Sequence, residues 1–509
     1  MAERENSGRS LAAAALATGK SALARSFRLH RPRGAFCHAG WCQQCQTVLP
    51  DGSRALACQT PAEAGNVAGL GSADPLRAVA RIAEKWPPWF WETRMPSPEA
   101  ARQPWLELLR RMSAAPPLSP STSGECRPWR RSASDVLIVG GGRAGLVAAM
   151  SLALAGRKVL LVEAERFGGI ARFLPVERDR VPELASAARR AGAQLREGVH
   201  CLGLYDGATR ALLIGPDGPE TVEIASLVVA AGGYDRLPAF RGNDLPGIMG
   251  GRAFLRLAAA GALPQAKRIG LYADAAAAPR RIEAARAYGL AWAWIAGPGA
   301  LPLAAERSHP HRRLRRASGD RCVREVEIDP DLRLGCDLLV LGLSQPAYEL
   351  QMQAGRRAVL SGDPAAVRTV GPALLPLLEL GEAAGLADGP DFVSQVEAAV
   401  QAWLGDPHGN TPAPQDHVSA EKPDPDAFLC LCEDVRVRDC ERAIADGFDH
   451  VELLKRRTGA GTGPCQGKLC HAELMACLAR AGRSPALPTV RPLLRPVRLD
   501  ALAGADDGA

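Results

Sequence analysis

The chain has 509 residues, 47% hydrophobic and 23% charged, a balance that describes an ordinary globular protein of roughly three or four domains. Its formal net charge of +7 comes from arginines scattered along the sequence, and aromatics are only 5%, so no basic, aromatic-interleaved surface for nucleic acid is expected. No run of 18 or more apolar residues exists to span a bilayer.

In chain order, Leu11 to Thr18 is a short apolar run preceded by Arg4 and Arg9. It reads as a small amphipathic helix packed beside the first cysteine set rather than as a secretory signal. Next, Cys37, Cys42, Cys45 and Cys58 are spaced C-x4-C-x2-C-x12-C. That closely follows the plant-type spacing by which thiolates hold a 2Fe–2S cluster, although tetrahedral zinc also accepts four thiolates. Gly34 and Gly40 let the backbone wrap closely around such a centre, and Cys58 returns after a turn at Pro50-Asp51-Gly52. His38 and Trp41 within the loop read as packing residues or as residues that support the ligands from behind.

A helical connector is expected over residues 61–114, with tryptophans at Trp86, Trp89, Trp91 and Trp105 that need a neighbouring surface. The Pro- and Ser-rich stretch from Ala115 to Ser134 reads as a linker. Val136 to Val139 is then a fully apolar run, as in a central parallel strand. A glycine turn, an Ala/Leu-rich helix and a second apolar run at Val159–Val162 complete a βαβ unit.

The turn carries Gly140, Gly142 and Gly145 as G-x-G-x-x-G, the dinucleotide fingerprint in its required context after a strand. Glu163 ends the second strand about 20 residues on, where a carboxylate accepts from a ribose hydroxyl and disfavours a 2′-phosphate. FAD or NAD therefore fits better than NADP. Further strands are expected at Leu227–Ala231, Arg268–Tyr272 and Leu338–Leu341, with a helix at Arg281–Tyr288. The strand ending at Ala273-Asp274 leads into Ala275 to Arg281 without a glycine, so that loop offers no phosphate cradle of the usual kind.

Cys430, Cys432, Cys465 and Cys470 form a second set, C-x-C-x32-C-x4-C, in which two helix N-termini aim at the thiolates. Helices are expected at Val435–Asp446 and His471–Ala481, and a proline-bearing tail from Pro485 reads as extended across another surface. The other six of the 14 cysteines share no spacing and read as small buried apolar residues. Cysteine use of this kind in a large chain suggests metal or redox chemistry and a cytoplasmic location rather than disulfides.

Taken together these motifs resemble the large or alpha-type subunits of heteromeric amine and amino-acid dehydrogenases and oxidases. That group includes hydrogen cyanide synthase, opine and octopine oxidases, hydroxyproline dehydrogenase and heterotetrameric sarcosine oxidase. The resemblance rests on Ser26-Phe-Arg-Leu-His-Arg-Pro-Arg-Gly34, the fingerprint, Ala231-Gly-Gly-Tyr-Asp-Arg236, Asp244-Leu-Pro-Gly-Ile-Met249, Leu454-Lys-Arg-Arg-Thr458 and the Gly463-Pro-Cys-Gln-Gly467 segment. That last segment looks like a bacterioferritin-associated-ferredoxin-like 2Fe–2S domain. Gly232 looks like the later strand-to-glycine crossing of two-nucleotide-domain flavoproteins, and Gly381-Glu382 resembles their final Gly-Asp element beside the ribityl chain.

The resemblance implies an α/β flavoprotein with two Rossmann-like dinucleotide-binding domains and two flanking 2Fe–2S domains, a β-grasp-like one first and a small helical one last. The divisions expected are a ferredoxin-like domain at 1–60, connector and linker at 61–134, and FAD-binding segments at 135–245 and 336–415. A degenerate NAD-type domain is expected at 246–335, the second cluster domain at 425–484 and the tail at 485–509. The implied cofactors are FAD and two 2Fe–2S clusters, with FMN at the interface to a partner. That partner is a smaller FAD-dependent subunit of the D-amino-acid-oxidase type, which takes hydride from a C–N bond. Electrons would leave for a quinone, a dye or oxygen. No substrate-facing acid–base constellation is visible in this chain. Two other readings are an NAD(P)H-dependent reductase of a ferredoxin-like acceptor and a non-catalytic, zinc-stapled FAD scaffold. Residues 1–10 supply no strand hairpin to open a β-grasp fold.

Overall fold

A computed structural model describes residues 9–64, 101–112, 127–263, 267–275, 277–301, 308–329, 331–361, 366–384, 391–408 and 422–503. Trp86, Trp89, Trp91 and Cys126 lie outside the described residues, as does most of the expected connector.

Apolar runs become central strands. The first sheet has seven strands in the order Gln194–Glu197, Val159–Glu163, Arg130–Val139, Gly218–Val229, Arg210–Gly215, His200–Tyr205, with Leu377–Glu379 pairing parallel to Gly218–Val229. Val136 and Ile138 are essentially inaccessible because helix Arg143–Leu154 covers one face of this sheet, and Leu137 is buried on the other face with Leu204 and Leu213. The strand begins at Arg130, inside the stretch expected as linker, because residues Arg130 to Ser134 pair with Glu220 to Ile224.

The second sheet is parallel, in the order Ile248–Gly250, Leu338–Gly342, Ile269–Ala273, Trp292–Ala296, Ser308–His309. Leu338–Gly342 sits between two strands of this sheet, so the chain returns toward the first domain after Gly342 rather than at residue 336. The return is made where Ser344–Pro346 pairs with Gly233–Asp235.

Among the described residues, the N-terminal unit holds helix Leu11–Ala17, a two-residue ladder at Ala24–Arg25 and Pro32–Arg33, and a hairpin of Gln46–Val48 with Arg54–Leu56. The helix starts at a Ser10 cap whose hydroxyl accepts from the Ala13 N–H. It buries Leu11, Ala12 and Ala15 against Cys45 and Cys58. The C-terminal unit has helices Val437–Ala445, Val451–Thr458 and His471–Arg480. Cys430 ends the first strand of a short pairing, Phe428–Cys430 with Val435–Arg436, and Cys432 lies in the turn between the two. From there the tail crosses back to the first domain: the Leu494 N–H donates to the Leu202 carbonyl at 2.8 Å, and the Trp129 indole donates to the Leu502 carbonyl at 3.2 Å.

A nucleotide cleft bordered by two cysteine sites

The fingerprint glycines do what the turn requires. Gly140 has φ of +112°, and a Cβ there would run into the Ala230 carbonyl. A Cβ on Gly145 would strike the Gly140 carbonyl, so only glycine lets helix Arg143–Leu154 lie this close to its strand. Gly142 caps that helix with no side-chain bond and faces open space, which leaves the first-turn N–H groups available to phosphate oxygens.

Gly140, Gly142, Glu163, Gly232, Gly381 and Glu382 all line one cleft; Gly145 supports it from behind. The Glu163 carboxylate accepts from the Gly141 N–H at 2.7 Å and the Glu165 N–H at 2.8 Å, holding the turn while bordering the cleft. Glu382 pairs with Arg252, which also binds Asp235 at 2.9 Å. Burial alone would raise the Glu382 carboxyl, but the Arg252 guanidinium holds it below the usual range. Sequence reasoning missed the arginines of this cleft. Arg143, Arg172, Arg252, Arg256, Arg280 and Arg495 all line it, from five separate parts of the chain, and all but Arg495 pair with carboxylates of the same lining, Glu165, Glu177 and Glu382. Arg495 arrives on the C-terminal tail and donates to the His200 Nδ1 at 2.7 Å.

At the corresponding loop of the second sheet, the Asp274 carboxylate accepts from the Ala277 N–H at 2.8 Å, and Arg281 is buried against Gly251 and Gly342. A side chain, not a glycine cradle, holds this helix start.

Each cysteine set comes together. The Cys37 thiol meets those of Cys42 and Cys58, and Cys58 meets Cys45. In the second set Cys430 meets Cys432 and Cys470, while Cys432 meets Cys465. All eight are buried, and burial pushes the Cys37 thiol up to about 12. Backbone N–H groups aim at the sulfurs: those of Ala39 and Cys42 reach the Cys37 Sγ at 3.3 and 3.4 Å. Gly461 and Glu433 donate likewise to Cys430, and Leu469 to Cys465. Such donors favour ionised sulfur, as metal ligation requires. A Cβ on Gly463 would collide with Cys432, so the loop closes tightly over the second set. In each set the contacts link all four sulfurs, a donor set that either two irons or one zinc could use.

The three sites are contiguous. Ala39 and Trp41 of the first cysteine loop line the nucleotide cleft. The Trp41 ring lies 5.0 Å from that of Tyr234, whose hydroxyl donates to Glu349 at 3.2 Å. Lys468, inside the second loop, sits 5.8 Å from the Tyr234 ring and 3.6 Å from Glu349. The two loops also touch directly, the Gln44 amide reaching the Cys432 Sγ at 3.5 Å. Trp41 therefore also forms part of the cleft wall.

This is the architecture of a flavin and iron–sulfur oxidoreductase chain. The N-terminal residues 4–70 match the model of a 2Fe–2S iron–sulfur cluster binding domain, and residues 134–268 match the pyridine nucleotide-disulphide oxidoreductase model. Residues 424–505 match the sarcosine oxidase A3 domain, which joins the second cysteine unit and the tail in one module.

Over nearly its whole length the chain is similar to the sarcosine oxidase alpha subunit. It is 26% identical to that subunit of Rhizobium meliloti (strain 1021) over 98% of its own length and 56% of the relative's. Shorter matches are hydrogen cyanide synthase subunit HcnB of Pseudomonas aeruginosa, 43% identical over 11% of this chain and 12% of that one, and an opine oxidase subunit of Agrobacterium tumefaciens (strain Ach5), 37% identical over 16% and 17%. The chain thus spans about half the length of the sarcosine oxidase subunit and less of the others. In fold it is similar to L-proline dehydrogenase from P. horikoshii, with a TM-score of 0.69 at 18% identity over 97% of this chain and 94% of that one.

Proposed function

We propose that this chain is the electron-carrying subunit of a heteromeric amino-acid or secondary-amine dehydrogenase or oxidase. The observation that carries the reading is the shared wall: one cysteine loop lines the nucleotide cleft through Trp41 while the other reaches the same wall through Lys468. A redox nucleotide and two sulfur-ligated centres placed so close form a relay rather than three independent sites.

FAD would lie against Gly140, Gly142 and Gly232, with its phosphates near the helix N-terminus at Arg143, Glu163 toward a ribose, and Gly381 and Glu382 beside the ribityl chain. Cys37, Cys42, Cys45 and Cys58 would hold one 2Fe–2S cluster, and Cys430, Cys432, Cys465 and Cys470 a second. When bound, these groups supply one- and two-electron redox capacity that side chains lack. The residues of this chain hold and orient them and keep water from the sulfurs. The oxidised C–N bond would belong to a smaller FAD-dependent subunit of the D-amino-acid-oxidase type, with FMN between the two chains. A quinone, a dye or oxygen would accept the electrons. Among the described residues no helix is long and apolar enough to cross a membrane, and we place the complex in the cytoplasm.

The test is isolation of the native complex from its source, with flavin and iron counted. A co-purifying flavoprotein subunit and loss of amine-dependent dye reduction on its removal are expected. A lone chain whose flavin is bleached rapidly by anaerobic NADH would replace this reading with that of an NAD(P)H reductase.

A further inference from the structure

Between the two cysteine sets lies one polar side chain that belongs to both. Gln44 stands between Cys42 and Cys45 and is only 2% exposed. Its amide nitrogen donates to the Cys42 carbonyl at 3.2 Å and to the Cys432 Sγ at 3.5 Å. A carbonyl oxygen cannot donate, so the Cys42 contact fixes which end of the amide points inward, and the same NH2 group has a second hydrogen for the sulfur. A donor carried on the first loop therefore acts on a ligand of the second.

The surrounding frame holds that contact in place. Asp434, fully buried two residues beyond Cys432, accepts from the Leu29 N–H at 2.9 Å and pairs with Arg31 at 2.6 Å. Arg33 donates to the Leu431 and Cys432 carbonyls at 2.9 and 2.7 Å. Both arginines come from the segment entering the first loop, so the two loops are locked together from a second side.

We infer that Gln44 is a positioning residue that sets the reduction potential of the second centre from within the first. The inference rests on the proposal that both sets hold iron–sulfur clusters. Reduction adds negative charge that the ligating sulfurs share, so a buried N–H···S bond stabilises the reduced form and raises the potential. Both partners are buried, Gln44 at 2% and Cys432 at 1% exposure, so solvent does not compete for the bond.

The experiment is a dye-mediated potentiometric titration of the full holoprotein, followed by electron paramagnetic resonance, for wild type and Gln44→Leu. A Cys465→Ser variant identifies which signal belongs to the second set. The expected result is a shift of the second centre to lower potential in Gln44→Leu, with the first centre moved less. Gln44→Met, which keeps the length of the side chain and removes its donors, gives the same shift and serves if the leucine variant takes up less iron. Two unshifted midpoints in iron-replete variants, or a shift confined to the first centre, would overturn the role of Gln44. A wild-type protein with a single iron–sulfur signal sinks the two-cluster reading itself, an outcome visible before any variant is made.

Discussion

The Cys42 sulfur meets that of Cys37, and its neighbour Trp41 forms part of the nucleotide cleft. A serine at Cys42 removes one thiolate from the first set and leaves the fingerprint turn untouched. Purified Cys42→Ser should therefore lose about half of its iron, as expected if each of two sites holds two irons, while its flavin absorbance stays. Unchanged iron in that variant would remove Cys42 from the ligand set. At this scale the sequence was informative wherever chemistry dictates spacing. The cysteines and the fingerprint glycines are legible because a cluster or a pyrophosphate tolerates few alternatives. Gln44 and Trp41 are not legible in the same way: Gln44 meets Cys432 across 388 residues of chain, and no local pattern marks such a contact. The cleft arginines are hidden for a related reason, since they are scattered among many other arginines.

Among the elements, the segment Ser26–Gly34 and the strand-turn of the second cysteine unit depend on one another. Asp434 receives the Arg28 and Leu29 N–H groups and the Arg31 side chain. Removing that carboxylate in Asp434→Ala leaves the buried Arg31 guanidinium with only Asp244 at 3.4 Å and the Leu431 carbonyl, and breaking such a pair costs roughly 3–5 kcal/mol. The expected outcome is a urea unfolding midpoint well below wild type, together with earlier proteolytic release of the C-terminal module. A change under about 1 kcal/mol, the range of exposed pairs, would show that the clamp is dispensable.

The C-terminal tail makes a second interlock, and this one is sensitive to pH. Burial, followed by the nearby Arg495 charge, lowers His200 to about 4, with Glu165 acting weakly the other way. The folded value lies below the ordinary 6.5 of an unfolded chain, so the unfolded state binds more protons between the two. Stability from this contact is complete above about 6.5 and is lost as the pH falls toward 4. Wild type should lose more thermal stability between pH 7 and pH 5 than His200→Gln, which has no proton to gain. Equal losses in both proteins would contradict this account of the tail.

Strand identity was the most legible part of the fold, because runs such as Val136–Val139 and Val159–Val162 have no face to expose and must be central. Boundaries were less so. Arg130–Ser134 reads as linker by composition, yet it is strand because Glu220 and its neighbours supply the ladder. Leu338–Gly342 looks the same whichever sheet it joins, and only pairing with Ile269–Ala273 assigns it to the second.

For the whole molecule, the claim that matters is that two sulfur-ligated iron centres and a redox nucleotide form one connected site, with the N- and C-terminal units brought to a single wall of the cleft. The most direct measurement is spin-integrated electron paramagnetic resonance with iron analysis, on protein made iron-replete and oxygen-free and then reduced with dithionite. The account predicts about four irons and about two spins per chain, with the two signals broadened by one another's proximity. A silent spectrum, or one spin with zinc in the remaining site, would contradict it.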